Sequence, residues 1–345
     1  MTMAAEERRG TLYGIDVVRS YGDAAAEYRA LRDGSGVVVR EDRRIVRASG
    51  RDPVKMVHGL VTNDVLNAPP TRAVYAALLT PKGRMVGEMR VMRHGADLLL
   101  DVDAGALDGV LAHLKKYVPP LFARFEDVSS AYEVLGVYGA ASPAALARIA
   151  GSDGLVSDED AMQTVSFEGA ELHVIGTRFT GGPGFDVIVP AERRVALHDA
   201  LLAAGSAPAG HAALDVLRIE AGVPRWGAEL DETVIPLEAG LQQRAISTSK
   251  GCYTGQEVII RILHRGHVNW QLRGLLLGEH GVPARGTKLT RPGEDKTVAR
   301  VTSACVSPRL DQTIALAYVR REVKPGAELM LENHTARVVA LPFAN

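Results

Sequence analysis

The sequence has few of the residues and patterns that mark several protein classes. It contains only 2 cysteines, Cys252 and Cys305, among 345 residues. That number is too small for a disulfide framework, and neither cysteine stands in a Cys-x-x-Cys motif. We therefore expect a reducing, cytoplasmic compartment and predict no metal site.

Long apolar runs and a strong excess of one charge are also missing. Runs such as Leu98–Leu100 are far too short to span a bilayer, and Met1–Gly10 lacks the apolar segment of a signal peptide. The formal net charge is −1 at pH 7, which gives no overall attraction for nucleic acid. We expect no membrane partner and no direct nucleic-acid partner.

A local basic stretch is the exception to this charge balance. His264 and His267 flank Arg265, and this pattern fits a metal site, an RNA contact or a solvated basic loop. Two histidines without a carboxylate or thiolate at fixed spacing indicate a metal only weakly. The solvated loop is therefore our interpretation.

The length and the apolar patterns indicate several domains of α+β type. Residues 1–130 and 131–245 each mix strand and helix patterns, and we interpret the second as ferredoxin-like. Residues 246–267 are predicted to form a loop and a linker. In residues 268–345 the helical periodicity disappears, and short strands between glycine and proline turns predict a small antiparallel barrel or sandwich.

The segment Lys250–Glu257 is the most unusual part of the chain. Its glycines, Gly251 and Gly255, permit backbone angles that other residues avoid, which predicts a shaped loop around Cys252. Lys250 is a candidate for lowering the pKa of the Cys252 thiol, although an ion pair with Glu257 that only shapes the loop is equally compatible with the sequence.

The two cysteines receive different interpretations. Cys252 is either a reactive thiol, a transient iron–sulfur ligand, or a small residue that fills a tight loop. Cys305 lies in an expected strand and is predicted to be buried and structural.

Several motifs together resemble the YgfZ/GcvT family, which contains the folate-binding YgfZ proteins and the aminomethyltransferases of the glycine cleavage system. The resemblance covers nearly the whole chain in matching order. Lys250–Glu257 looks like the YgfZ signature, and the other matching segments are Gly59–Asp64, Thr80–Arg84, Arg218–Gly222 and Pro236–Leu241. The resemblance implies two α+β domains around a folate pocket, followed by a C-terminal β-barrel.

The resemblance also assigns a folate pocket. Thr180–Asp186 resembles a folate-site segment of the aminomethyltransferases, where a glutamate binds the pterin at the position of Asp186. A carboxylate can accept two parallel N–H donors of such a ring. Arg218 matches an arginine of a shared helix, with the ligand's carboxylates or Asp186 as its expected partner. The alternative for Asp186 is a solvated carboxylate on an edge strand.

The aminomethyltransferases carry an Asp-Asp pair that aligns here with Gly87-Glu88. Glu88 is therefore the remaining candidate for electrostatic or proton-transfer help at a reacting nitrogen. Asn63, Tyr253 and Gln256 are further candidates for binding the cofactor, although Asn63 with Asp64 is also typical of a turn.

The resemblance implies a tetrahydrofolate-binding accessory protein that supports the assembly or repair of iron–sulfur enzymes, with an indirect effect on tRNA modification. In this interpretation Cys252 supplies a functional thiol, and a transient iron–sulfur cluster and iron–sulfur enzymes or assembly factors are its partners. The alternative is a folate-dependent one-carbon transferase, similar to an aminomethyltransferase or a demethylase.

Overall fold

The structure is a computed structural model that describes residues 7–151 and 154–343. Its first part contains β1 (Arg8–Leu12), β2 (Ile15–Ser20), α1 (Ala24–Arg32), β3 (Gly36–Val39), β4 (Arg43–Ser49), α2 (Pro53–His58), β5 (Val74–Leu79), β6 (Met85–His94), β7 (Asp97–Asp103), α3 (Leu107–Tyr117) and β8 (Arg124–Asp127).

The middle part contains β9 (Tyr132–Tyr138), α4 (Ser142–Ala150), β10 (Met162–Phe167), β11 (Ala170–Gly176), β12 (Gly184–Pro190), α5 (Arg194–Ala203), β13 (Ala207–Pro208), α6 (His211–Glu220), α7 (Gln242–Ala245) and α8 (Gln256–Arg265). The last part contains β14 (Trp270–Gly278), β15 (Lys288–Thr290), β16 (Thr297–Ser307), β17 (Gln312–Arg320), β18 (Glu328–Leu331) and β19 (His334–Val339).

The first sheet has five antiparallel strands in the order β5-β6-β7-β4-β8. Helix α3 buries Val110 and Leu114 in the core beneath this sheet. Val110 packs directly over Gly87 of β6, where an added Cβ would lie 2.5 Å from Val110 Cγ2. This contact is a physical reason why position 87 carries no side chain and only Glu88 remains of the carboxylate pair.

The second sheet has six strands in the order β10-β11-β12-β9-β3-β13. Strand β3 pairs antiparallel with β9, and Val37 lies opposite Val137. The predicted boundary at residue 130 therefore does not separate the two sheets, because β3 comes from the first 130 residues and lies in the second sheet. The division of the chain into folding domains stays a prediction.

The C-terminal strands form a closed barrel in the order β14-β17-β16-β15-β18-β19. Its interior is filled by aliphatic side chains such as Leu275, Val301 and Val319. The prediction of two α+β units followed by a C-terminal antiparallel barrel is confirmed.

Residues 246–267 are not only a loop and linker, because Gln256–Arg265 forms helix α8. The β-branched residues of this segment have low helix propensity, which hid the helix from sequence analysis. Packing outweighs propensity here, since Ile259 is fully buried in the core and Leu263 packs against the same cluster. The expected basic loop is thus the exposed end of α8, with His264 and Arg265 in its last turn.

Among the residues described, no helix has both the length and the apolar composition that a membrane crossing requires. The expected cytoplasmic location and the expected lack of direct nucleic-acid contact stay predictions.

Candidate functional site

A small cavity of about 60 Å³, here called the inner cavity, lies where the two sheets meet. Its wall is unusually rich in charged side chains, mixed with aromatic and aliphatic ones. The lining residues are Arg40, Asp42, Arg43, Tyr75, Glu88, Arg90, Asp103, Thr177, Phe179, Asp186, Val223, Pro224, Arg225, Leu241 and Arg244. Buried charges of both signs in one cavity indicate a site that binds a polar ligand.

Asp186 lies in β12 on the wall of the inner cavity and is only 2% exposed. Its Oδ1 accepts hydrogen bonds from the Tyr138 hydroxyl and from Arg40 Nη1, the latter at 3.2 Å. Its Oδ2 lies 2.7 Å from Arg90 Nη1. The position agrees with the predicted ligand contact, but both carboxylate oxygens already have protein partners.

Glu88 lies in β6, faces the inner cavity and is 6% exposed. Arg43 Nη1 donates to Glu88 Oε1 at 2.7 Å, and the same guanidinium donates through Nε to Asp101 at 2.6 Å. Arg90 also pairs with Asp101. The predicted carboxylate is therefore present in the cavity and is held in place by a buried ion-pair network.

A second carboxyl group, which the sequence analysis missed, faces the same cavity. Asp103 ends β7, is 3% exposed, and accepts a hydrogen bond from the Gly105 backbone N–H at 2.9 Å. Burial raises the pKa of Asp103 to about 7, and the neighbouring carboxylates of Asp42 and Glu88 act in the same direction. Asp103 therefore titrates near neutral pH.

Arg225 carries hydrogen-bond donors at the cavity wall that have no acceptor in the described part of the chain. The side chain is 5% exposed and lines the cavity, but Nε and Nη2 make no hydrogen bond within the described part of the chain. Nη2 lies 3.3 Å from Asp42 Oδ2, close enough for an ion pair without the alignment of a hydrogen bond. Because buried donors are nearly always satisfied, these atoms suit an acceptor on a ligand.

The inner cavity adjoins a larger cavity of about 770 Å³, here called the outer cavity. The two cavities share Val223, Pro224, Leu241 and Arg244. The charged groups on its wall are mainly guanidinium groups, and they are Arg32, Glu159, Arg178, Glu220, Arg244, Arg273 and Arg309. Such a wall favours an anionic ligand.

Arg273 is the residue of the outer cavity with the clearest spare capacity. Its Nε is buried and has no hydrogen-bond partner within the described ranges, while Nη2 donates to the side chain of Gln271. Burial lowers the pKa of Arg273 relative to its ordinary value. A carboxylate is the natural partner of such a group.

The expected contact between Arg218 and a ligand is wrong. Arg218 is 0% exposed, so it has no surface for a ligand. Its guanidinium donates to Asp215 at 2.7 Å, to Glu229 at 2.6 Å and to the Tyr13 hydroxyl at 2.6 Å. It does not contact Asp186 either. Arg218 is a structural ion-pair residue that connects α6 with the turn after β1.

Lys250 has backbone partners in the structure, and its predicted role as an activator of the Cys252 thiol stays a prediction. Its Nζ donates to the backbone carbonyl oxygens of His58 and Val61, the latter at 2.5 Å, at the end of α2. Burial lowers the pKa of Lys250 to about 8. Its ammonium group is used by these carbonyls, and no ion pair with Glu257 forms in the described structure.

Cys252 is exposed, while Cys305 is buried as predicted. Cys252 does not belong to the wall of the inner or the outer cavity. The loop that carries it packs closely against Thr80, because Gly255 has a φ of +82° and an added Cβ there would lie 2.6 Å from the Thr80 carbonyl oxygen. The structure thus separates the cysteine from the charged cavities.

The remaining predicted cofactor-binding residues also lie outside the inner cavity. Tyr253 is buried in the hydrophobic core, with its ring 5.0 Å from Lys250 Nζ. Gln256 begins α8, and its backbone N–H donates to the carbonyl of Tyr253. Neither residue lines the inner or the outer cavity. The structure therefore gives no support to ligand contacts by these two residues.

The side chain of Asn63 forms hydrogen bonds with backbone groups instead of lining the inner cavity. Its side-chain amide donates to the carbonyl oxygens of Tyr75 and Arg244, both at 2.9 Å. Its Oδ1 accepts from the Asp64 N–H, so the turn interpretation accounts for its contacts. Asn63 lines a separate cavity of about 240 Å³, next to Tyr75 and Arg244.

Comparison with known protein families explains this architecture. Residues 4–250 match the GCVT N-terminal domain, and residues 271–344 match the glycine cleavage T-protein C-terminal barrel domain. The chain therefore belongs to the glycine cleavage T-protein family. The narrower resemblance to the YgfZ branch is not distinguished by these matches.

Individual relatives agree with this assignment. An aminomethyltransferase of Ralstonia pickettii is 32% identical over 352 residues, covering 96% of this chain and 92% of the relative. An aminomethyltransferase of Rubrobacter xylanophilus is 30% identical, with 96% of this chain and 88% of the relative covered. The crystal structure of aminomethyltransferase T from Bartonella henselae has the same fold, with a TM-score of 0.88 at 21% identity, covering 99% and 95% of the two chains.

Proposed function

We propose that this protein is a folate-dependent one-carbon transferase whose ligand extends across the outer and inner cavities. The observation that carries the proposal is the junction of a charged inner cavity with an arginine-lined outer cavity of about 770 Å³. A volume in this range is typical of small-molecule sites. The relatives named aminomethyltransferase support the same class of reaction.

The residues present fit a reduced folate. A folate has a flat, polar ring at one end and carboxylates at the other. The unpaired donors of Arg225 suit the acceptor atoms of the ring, and the unpaired Nε of Arg273 suits a carboxylate of the tail. Since the inner cavity holds only about 60 Å³, the ring belongs at the junction, beside Val223 and Leu241.

Asp186 contributes less directly than the resemblance implies. Its oxygens are paired with Arg40, Arg90 and Tyr138, so a ring N–H must share them with these donors. We propose that Asp186 holds the two arginines in position as well as facing the ring.

Two carboxyl groups in the inner cavity are suited to different roles, one electrostatic and one in proton transfer. Tetrahydrofolate, when bound, supplies the nitrogen atoms that take up the transferred carbon. Glu88, fixed by Arg43, offers negative charge to a cationic centre. Asp103, with a pKa of about 7, can give or accept a proton at neutral pH. Asp103 thus compensates for the carboxylate that is missing at Gly87.

Product formation tests this function. The purified protein is incubated with tetrahydrofolate together with each of several aminomethyl donors, and the methylenetetrahydrofolate and the ammonia that form are measured. We expect turnover with at least one donor and a loss of about 100-fold or more in Glu88→Gln. The control is Glu126→Gln, an exposed carboxylate on the same sheet, which should retain full activity. Absence of product with every donor at saturating folate would contradict the proposal.

The exposed Cys252 favours a second candidate function, the accessory role for iron–sulfur enzymes. The loop around it is anchored by the hydrogen bonds of Lys250, and it presents a thiol that the inner and outer cavities do not use. An accessible thiol is suited to transient contact with a partner or a cluster.

This second function is tested in cells that lack the protein and have low activity of an iron–sulfur enzyme. The accessory role predicts that Cys252→Ala binds tetrahydrofolate normally but does not restore that enzyme activity. The control is the buried Cys305→Ala, which should restore it. Full restoration by Cys252→Ala would exclude a role for the thiol.

A further inference from the structure

A cluster of metal-ligating side chains lies away from the folate cavities, where the two sheets come together at one edge. His94 ends β6 of the first sheet, and Glu171 and His173 lie in β11 of the second sheet. One potential ligand atom from each of the three residues lies within 4.8 Å of the other two. The three side chains therefore converge on a common point.

The distances suit a shared ion. His94 Nδ1 lies 3.1 Å from His173 Nε2, and Glu171 Oε1 lies 3.7 Å from the same nitrogen. Tetrahedral zinc binds imidazole nitrogen and carboxylate oxygen at about 2.0–2.2 Å, which places its ligand atoms roughly 3.3–3.5 Å apart. The observed separations lie on either side of this value, so small side-chain adjustments would complete the geometry.

The imidazoles of His94 and His173 approach each other through ring nitrogens. The rings of His94 and His173 are nearly perpendicular, at 89°, with centroids 5.3 Å apart, so they meet edge to face rather than stack. The two nitrogens that approach each other can share a single proton between them. A cation in that place would use both lone pairs.

The ring nitrogen of His173 that points away from His94 also has a polar neighbour. This residue is 4% exposed, and its other nitrogen, Nδ1, lies 3.4 Å from the Thr164 hydroxyl oxygen. If Nδ1–H donates to that hydroxyl, Nε2 is left unprotonated and directed at His94. Metal-binding histidines almost always have such a partner on the second nitrogen.

The site is reachable from solvent. His94, Glu171 and His173 line an open cavity of about 380 Å³ together with Tyr132, Glu168 and Arg193. The side chain of Glu171 is 61% exposed. An ion could enter here, and a water molecule could occupy the fourth position of a tetrahedral site.

We propose that His94, Glu171 and His173 form a binding site for a divalent cation of the zinc type that connects the two sheets. Imidazole and carboxylate ligands suit Zn²⁺ among the common divalent ions. Since His94 is in the same strand as Glu88 and Arg90, the cation would fasten the sheet that supplies part of the inner cavity wall. The sequence concealed the site because the two histidines are 79 residues apart.

The test uses untagged, chelator-treated full-length protein and Zn²⁺ as the probe. We expect calorimetry to show one ion per chain with micromolar or tighter affinity, and an excess of Zn²⁺ to raise the Tm by a few degrees. Co²⁺ in place of Zn²⁺ should give the visible absorption of a tetrahedral site. The absence of binding to wild type in the micromolar range would overturn the proposal.

Variants locate the ion. His94→Ala and the exposed Glu171→Gln should each weaken Zn²⁺ binding by at least tenfold and remove the Tm shift. The matched control is His334→Ala, which alters another edge-to-face histidine pair, His280 with His334, with ring centroids 4.5 Å apart. The control should bind Zn²⁺ as wild type does. Unchanged binding in both His94→Ala and Glu171→Gln, or its loss in His334→Ala, would overturn the proposed location.

Discussion

The inner cavity and the loop around Cys252 use charged residues in opposite ways. The loop concentrates its unusual residues in Lys250–Glu257, where Lys250 bonds to backbone carbonyls and Gly255 allows close packing against Thr80. The cavity collects its charges from distant segments, such as Arg40 after β3, Glu88 in β6 and Asp186 in β12. The comparison indicates that the conspicuous segment around Cys252 supports the fold, while charged residues from distant parts of the sequence form the candidate site.

Two nearby arginines, Arg218 and Arg225, show the difference between a structural ion pair and a cavity-facing one. Arg218 is fully buried, and its guanidinium donates hydrogen bonds to Asp215, Glu229 and Tyr13. Arg225, only a few residues further along the chain, keeps unpaired donors at the cavity wall. Spare hydrogen-bonding capacity, rather than charge alone, distinguishes a binding residue from a structural one.

The largest expected effect concerns the buried ion pairs of the inner cavity. Asp186→Ala removes one of two buried carboxylate partners from each of Arg40 and Arg90, and it leaves the buried Tyr138 hydroxyl without its acceptor. We expect the free energy of unfolding to fall by about 3–5 kcal/mol, as measured by chemical denaturation. The control is Asp97→Ala, which breaks the exposed pair with Arg47 and should cost less than about 1 kcal/mol. Equal losses of unfolding free energy in the two variants would show that the buried ion pairs of the cavity stabilise the fold no more than an exposed pair does.

The next effect is the pH dependence caused by Asp103. Its pKa is about 7 in the folded protein, against 3.8 ordinarily. Between these values the folded state holds a proton that the unfolded chain has lost, so stability falls as the pH rises from about 4 through 7. At about 1.4 kcal/mol per tenfold change in proton affinity, the loss is at most about 4 kcal/mol.

Asp103→Asn, which keeps an oxygen for the Gly105 N–H, should lack this loss. Denaturation of wild type and variant between pH 5 and pH 8.5 measures the effect. The stability of the variant relative to that of the wild type should increase as the pH rises. A difference that stays constant over this range would show that Asp103 does not titrate there.

A smaller effect concerns the loop. Lys250→Met leaves the carbonyl oxygens of His58 and Val61 without their donor and should lower the free energy of unfolding by about 2 kcal/mol. The exposed Cys252→Ala should change it by less than about 0.5 kcal/mol. Denaturation of both variants measures these values. A Lys250→Met protein as stable as wild type would contradict the structural role of this lysine.

Local patterns were sufficient to predict much of the fold. The strands of residues 268–345 follow from short apolar segments between turns, and the closed barrel confirms that prediction. Helix α8 was missed because its β-branched residues disfavour a helix, while the burial of Ile259 that stabilises it depends on tertiary contacts.

The candidate site was only partly accessible from the sequence. Glu88 and Asp186 were found through family resemblance, and both line the inner cavity. Asp103 and Arg225 were missed because no local motif marks them and their pKa or unpaired donors arise from burial. Arg218 was misassigned since a motif cannot show which side of a helix faces a cavity.

An anaerobic calorimetric titration with tetrahydrofolate tests the central claim, that the folate site is the arginine-lined pair of cavities and not the loop around Cys252. Wild type, Arg273→Met and Cys252→Ala are compared. We predict micromolar or tighter binding for wild type and Cys252→Ala, and binding at least tenfold weaker for Arg273→Met. No binding by wild type, or normal binding by Arg273→Met together with its loss in Cys252→Ala, would contradict the account.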